Sequence, residues 1–158
     1  MTEKSIAYIN YLLGIENNSH ISAAIRKGER PTTEMYSYQF LSQWCDITKP
    51  WEFRPYALVG ASFLRSKNHH DGSLDIGKAL ALCYQNFDKD KPNSRLLGLC
   101  SCTNTEEACQ KIRPILAFVV SKGVGVCYSQ LLDDLLYFSD KTKRRWVAGF
   151  YAKKKEEE

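Results

Sequence analysis

The residues of this sequence best suited to a chemical task are its lysines and arginines. They fall in separated groups: Arg26, Lys27 and Arg30; Arg54, Arg65 and Lys67; Lys78; Arg95 and Arg113; and Lys143, Arg144 and Arg145. Such side chains hold phosphate without needing a special protonation state, and arginine does so through two parallel hydrogen bonds. Their chemistry is the binding of a polyanion rather than the making of bonds. The formal net charge is only +4, but between Lys111 and Lys155 ten Lys or Arg stand against Asp133, Asp134 and Asp140. That asymmetry suits a polyanionic partner.

Groups for catalysis are scarce. The sequence holds no Walker lysine loop, no G-x-G-x-x-G, no H-E-x-x-H and no G-x-S-x-G, so the common nucleotide, metalloprotease and hydrolase signatures are absent. Asp133 and Asp134 are adjacent carboxylates, yet helical neighbours diverge by about 100°. They are expected to cap, to be solvated or to pair with a basic helix, as exposed charge on a helical face. His69 and His70 fall in the polar run Ser66–Gly72, a mobile loop in which histidine is solvated. Cys100, Cys102 and Cys109 lack a C-x-x-C spacing, so no metal and no cofactor are expected. The six cysteines read as reduced, buried thiols. Trp44, Trp51 and Trp146 could stack on unpaired bases, but their helical spacing favours core packing.

The elements that must carry these groups are helical. Ile6, Ile9, Leu12 and Leu13 predict a first helix ending near Gly14, and Ser19 or Ser22 a cap for the next, which runs into Arg26-Lys27-Gly28. Basic residues there also suit the negative end of a helix dipole. Thr32 or Thr33 opens a helix through Trp44, Pro50 marks a loop, and Arg54-Pro55 begins the next helix. Leu74–Tyr84 is another helix, and Ser94 caps a short one holding Leu96, Leu97 and Leu99. Asn104 with Glu107 forms a capping-box-like pair, Pro114 marks a kink or a later start, and Gly123 is the stop. Leu131, Leu132, Leu135 and Leu136 carry a further helix. After Ser139-Asp140 the last one holds the basic cluster with Trp146, Phe150 and Tyr151. Strand alternation and hairpin dipeptides are missing. The expectation is an all-α fold of eight or nine helices in two small helical bundles, residues 1–88 and 93–158, joined at Phe87–Pro92. No run reaches the roughly 18 apolar residues of a membrane span and no leader pattern opens the chain. A cytoplasmic protein with no membrane partner is expected.

With these residues laid out, the sequence resembles the small subunit of the type I-E CRISPR Cascade complex, the CasB family. The tail RPILAFVVSKGVGVCYSQLLDDLLYFSDKTKRRWVAGFY is similar to that family's helix, G-V turn, Y/W-x-x-L-L-x-D-L-L helix and basic R-x-W-x-x-x-F-Y ending. AAIRKGERP, LDIGKALA and SRLLGL resemble its L-R-x-G-x-x-P, S-x-G-R-A-L and R-x-x-x-L-L segments in the same order. The resemblance covers nearly the whole chain. It implies a helical, non-enzymatic subunit of two bundles that pairs head-to-tail with a second copy, beside the backbone and large subunits. Its implied partners are guide RNA and the target and displaced DNA strands, whose phosphates its charges hold. Carried over residue by residue, Arg26 and Lys27 match the basic helix end, Lys78 the basic position of S-x-G-R-A-L, and Arg95 the arginine opening R-x-x-x-L-L. Arg113, Arg144 and Arg145 match basic positions of the tail. Arg30 and Arg54 are added from the charge pattern alone. Two departures stand out: Lys78 replaces an arginine, and Leu74-Asp75 stands where a small polar residue is typical. A helical adaptor that binds only proteins is the alternative.

Overall fold

Every residue from Pro55 to Leu64 is buried, a helical stretch with no solvated face, and the other elements are arranged around it. The computed structural model describes residues 1–66, 70–84 and 93–152. Among these the chain forms nine α-helices and no strand, so the fold is all-α. The helices are α1 (Glu3–Ile15), α2 (Ser19–Arg26), α3 (Tyr38–Leu41), α4 (Pro50–Arg65), α5 (Ile76–Leu82), α6 (Ser94–Cys100), α7 (Thr105–Ser121), α8 (Tyr128–Leu136) and α9 (Asp140–Phe150). Two 3-10 turns, Lys27–Glu29 and Glu34–Ser37, link α2 to α3. The joint expected at Phe87–Pro92 lies outside the described residues.

The central helix α4 packs on α1, α2, α7 and α8, while α5 lies against α9 and α1 against α8. One apolar core runs from Tyr8 on α1 through Phe53, Tyr56 and Phe63 to Trp146 and Phe150 on α9. Each such side chain contributes about 1.5–3 kcal/mol on burial. Close approaches need glycine. A Cβ at Gly60 would stand 2.4 Å from Tyr8 Oη, and that hydroxyl donates to the Tyr56 carbonyl at 2.8 Å. A Cβ at Gly77 would stand 1.9 Å from the Trp146 carbonyl oxygen, which brings α5 against the backbone of α9.

Helix ends account for most differences from the sequence reading. Asn18 and Asn93, not the following serines, cap α2 and α6, accepting from Ile21 and Leu96 N–H. Pro50 is the first residue of α4 rather than a loop marker, and Pro55 sits inside the helix. Proline is preorganised for a first turn, and buried packing on all sides holds the helix through Pro55 despite the lost backbone bond. The helix expected from Thr32 or Thr33 to Trp44 is a 3-10 turn and the single turn α3. Asn104 and Glu107 behave as expected. Asn104 Oδ1 accepts from Glu107 N–H at 2.9 Å, and the Glu107 carboxylate accepts from Thr103 N–H at 3.3 Å. Gly123 ends α7 with φ +72. Its N–H bonds Val120 O and the next N–H bonds Val119 O, the paired closure that a left-handed glycine permits.

The described part of the Ser66–Gly72 run is pinned rather than free. Asp71 accepts from Tyr128 N–H, Ser129 N–H and Ser129 Oγ, capping α8 from a distant segment. Gly72 N–H donates to Val126 O, and Cys127 N–H to Leu74 O, both at 2.8 Å. All six cysteines are free thiols; Cys45, Cys102, Cys109 and Cys127 are buried and Cys83 and Cys100 half-buried. Burial pushes the Cys45 and Cys109 thiols up to about 12, which keeps them protonated and unreactive at neutral pH.

Candidate nucleic-acid interface

The first cationic corner is built by the end of α2. The chain leaves the helix at Arg26 and closes at once into the Lys27–Glu29 turn. Gly28 lies under it, where a Cβ would meet Ser37 Oγ at 2.7 Å. With residues 28 and 29 turned inward, Arg26, Lys27 and Arg30 are left exposed. Lys27 Nζ sits 4.7 Å from the Tyr36 ring centre, and Arg26 Nε donates to the Ser22 carbonyl at 3.4 Å. Among the described residues none of these three cations has a carboxylate partner. Their neighbours differ. Glu29, whose side chain is only 4% exposed, pairs with Arg65 and lies 3.8 Å from Arg113. Arg54 pairs with Glu34 at 2.9 Å. The charge of Arg54, Arg65 and Arg113 is therefore partly committed inside the fold.

Further exposed cations lie on α5, α6 and α9, of which α5 and α6 each pack on α9. Lys78 follows Gly77 at the α5–α9 contact and stays exposed, its Cγ beside Gly149. Arg144 is exposed and carries no ion pair among the described residues. Arg95, the second residue of α6, lays its guanidinium 4.2 Å from the Phe118 ring centre and donates from Nη1 to Tyr84 Oη at 3.0 Å. A stacked guanidinium keeps its charge while losing little freedom when a phosphate arrives. Sequence reasoning placed Arg95 but missed Tyr84 and Phe118, whose approach depends on tertiary packing. Lys143 is turned inward, donating to the Cys102 carbonyl at 2.9 Å and lying 3.0 Å from Asp140. Lys67 lies outside the described residues.

Asp133 and Asp134 correct the sequence reading most clearly. They are buried, 8% and 4% exposed, rather than part of a solvated face. Asp133 accepts from Thr2 N–H at 2.6 Å, Thr2 Oγ1 at 2.9 Å and Ser5 Oγ, closing the start of α1. Asp134 accepts from Gln130 Nε2 at 2.9 Å and Trp146 Nε1 at 3.0 Å and pairs with Arg145. Pairing with a basic helix, one of the roles foreseen for this doublet, is what Asp134 does. Arg145 is accordingly held against α8, while Arg144 beside it is not.

Catalytic groups do not converge among the described residues. His70 is exposed and His69 lies outside the described residues. No group of His, Cys, Asp and Glu among the described residues could hold a metal ion, and no helix among them is long and apolar enough to cross a membrane. A cavity of about 440 Å³ between the Gly28 turn and α7 is lined by Arg54 and Arg113 with Glu29 and Glu106, a charge-balanced wall. Of the tryptophans, Trp146 is fully buried and Trp44 half-buried, but Trp51 is 55% exposed, against the expectation of core packing.

Among the described residues the chain is an all-α scaffold carrying exposed cations that have no carboxylate partner there, and comparison with known proteins places it in a family. The family model for CRISPR-associated protein Cse2 matches residues 22–151, and the chain belongs to that family. Three solved structures share the fold. A CRISPR-associated protein of the Cse2 family from Thermus thermophilus superposes with a TM-score of 0.75 at 20% identity, covering 97% of this chain and 100% of that one. A structure described as CasB from Thermus thermophilus gives 0.75 at 19%, with the same coverage. A chain of a CRISPR RNA-guided surveillance complex gives 0.75 at 16%, covering 94% of this chain and 92% of its own. A search of curated proteins finds no significant match.

Proposed function

We propose that this chain is the non-catalytic small subunit of a type I-E CRISPR RNA-guided surveillance complex, Cascade, acting in the cytoplasm in antiviral defence. In this reading it pairs with a second copy of itself beside the backbone and large subunits. It holds guide RNA, target strand and displaced DNA strand by their phosphates, while base pairing reads the sequence. Family membership supports the assembly, and the cations without a carboxylate partner among the described residues support the binding: Arg26, Lys27, Arg30, Lys78, Arg95 and Arg144. Arg54, Arg113 and Arg145 rank below them because each already faces a carboxylate.

Binding through phosphate releases counterions, at a slope of about 0.7 per contact on a single strand. An R26A/K27A/R95A variant should fold normally, bind single-stranded DNA more weakly at low salt, and flatten the plot of log affinity against log salt by about 2. Affinity and slope equal to the native protein's would sink the assignment and leave the protein-only adaptor. The reading also divides the chain into bundles 1–88 and 93–158, docked through α1 on α8, α4 on α7 and α8, and α5 on α9. Co-expressed as separate chains, the two should co-purify and melt together. Two independent melts with no association would count against bundles that share a core.

A further inference from the structure

The exposed Trp51 has a companion. Tyr137, the residue that ends α8, is 69% exposed, and the two line one open cleft of about 270 Å³ with Thr2, Lys4, Glu52, Tyr56 and Leu136. Tryptophan is highly buried on average, and here two large aromatic side chains are exposed along one cleft. Lys4 Nζ lies 5.7 Å from the Tyr56 ring centre, and neither Lys4 nor Glu52 has an ion-pair partner among the described residues. Trp51 and Glu52 belong to the first turn of α4, whose N-cap residue Lys49 makes no side-chain cap. Thr2 and Lys4 precede the residues matched by the family model, so part of this cleft is built by chain outside that match.

We propose that this cleft holds one unpaired nucleobase of a single strand, an inference that rests on the nucleic-acid reading above. The base would stack on Trp51 or Tyr137, as aromatic side chains do in single-strand binders. Its adjoining phosphate would lie toward Lys4. Glu52, an acceptor only, takes a hydrogen bond from an exocyclic amino group, as cytosine N4 offers and thymine does not. A planar face, a cation and a lone acceptor together match a nucleotide better than an apolar side chain of a protein partner, which would leave Lys4 and Glu52 unused.

The test is a titration of the full-length protein at low salt with oligo-dC and oligo-dT about 12 nucleotides long, read by tryptophan emission and by affinity. Oligo-dC should quench the emission. W51F should lose the quench yet keep near-native affinity, because phenylalanine still stacks. W51A and Y137A should each weaken binding by about 5- to 100-fold, and E52A should erase the preference for dC over dT. Thermal melts at the native temperature would show that these exposed positions leave the fold intact. Unchanged strand affinity in W51A and Y137A, with R26A/K27A/R95A weakened, would overturn this inference and leave the phosphate reading standing. A W51A protein that keeps strand affinity but fails to associate with a partner polypeptide would overturn it in favour of a protein contact. Failure of the native protein to bind either oligonucleotide would remove both readings.

Discussion

Gly77→Ala should lower the unfolding free energy by about 2–3 kcal/mol, the usual result of overpacking a tight contact. The new Cβ would stand 1.9 Å from the Trp146 carbonyl oxygen, 2.8 Å from its carbon and 3.0 Å from Cα. All three are backbone atoms within α9, so no rotamer change relieves the clash. The two helices must separate, and Ile76, Leu80, Trp146 and Phe150, all buried, lose packing with them. Replacing a helical glycine by alanine otherwise helps by at most about 1 kcal/mol, the value for a helix interior; Gly77 lies in the first turn of α5, and the steric loss exceeds that gain. Gly14 in α1 is the control, since a Cβ there meets nothing within 4 Å. Urea midpoints should fall for G77A and hold or rise for G14A. A native-like midpoint in G77A would mean that α5 and α9 do not approach this closely in solution.

Asp134→Ala should cost about 3 kcal/mol, the sum of the donors it strands. The carboxylate is nearly inaccessible and serves three donors, one of them the fully buried indole of Trp146. Its loss leaves that N–H without an acceptor, worth about 1–3 kcal/mol, and strands the Gln130 amide as well. The Arg145 guanidinium is 45% exposed and can turn to water, so its share is well below that of a fully buried pair. Asp134→Asn keeps an acceptor for the indole and should lose less than the alanine variant. Arg145→Ala should lower stability modestly while leaving single-strand affinity almost unchanged. Denaturant titrations rank the three stabilities, and strand titrations of R145A test the second half. A large loss of affinity in R145A at native stability would return Arg145 to the binding surface.

What the sequence disclosed was local. The Asn104 and Glu107 cap lies within one turn, and Gly123 supplies a conformation that few other residues adopt. The leucine pairs of α8 repeat at helical spacing, so their burial followed from periodicity. What stayed hidden depended on residues far apart in the chain. Glu29 meets Arg65 and Arg113 only after α4 and α7 pack beside its turn. Before that packing nothing separates Arg113 from Arg95, one committed to a carboxylate and the other resting on Phe118. Asp133 and Asp134 were misread for the same reason, since isolated carboxylates belong at the surface and only their donors justify burying them. Trp51 went the other way. Its spacing fits a core helix, but it precedes the part of α4 that other elements enclose.

The cap that Asp71 places on α8 has a kinetic meaning. Residues 57 and 58 positions apart are joined at the first turn of α8, and Cys127 contributes no side-chain cap of its own. α8 is thus a helix whose beginning is written elsewhere in the chain. Its first turn gains its full complement of acceptors only when the segment after α4 has docked, a long-range closure of the kind that slows folding. The element richest in leucine therefore depends for its first-turn acceptors on a segment far away in the chain.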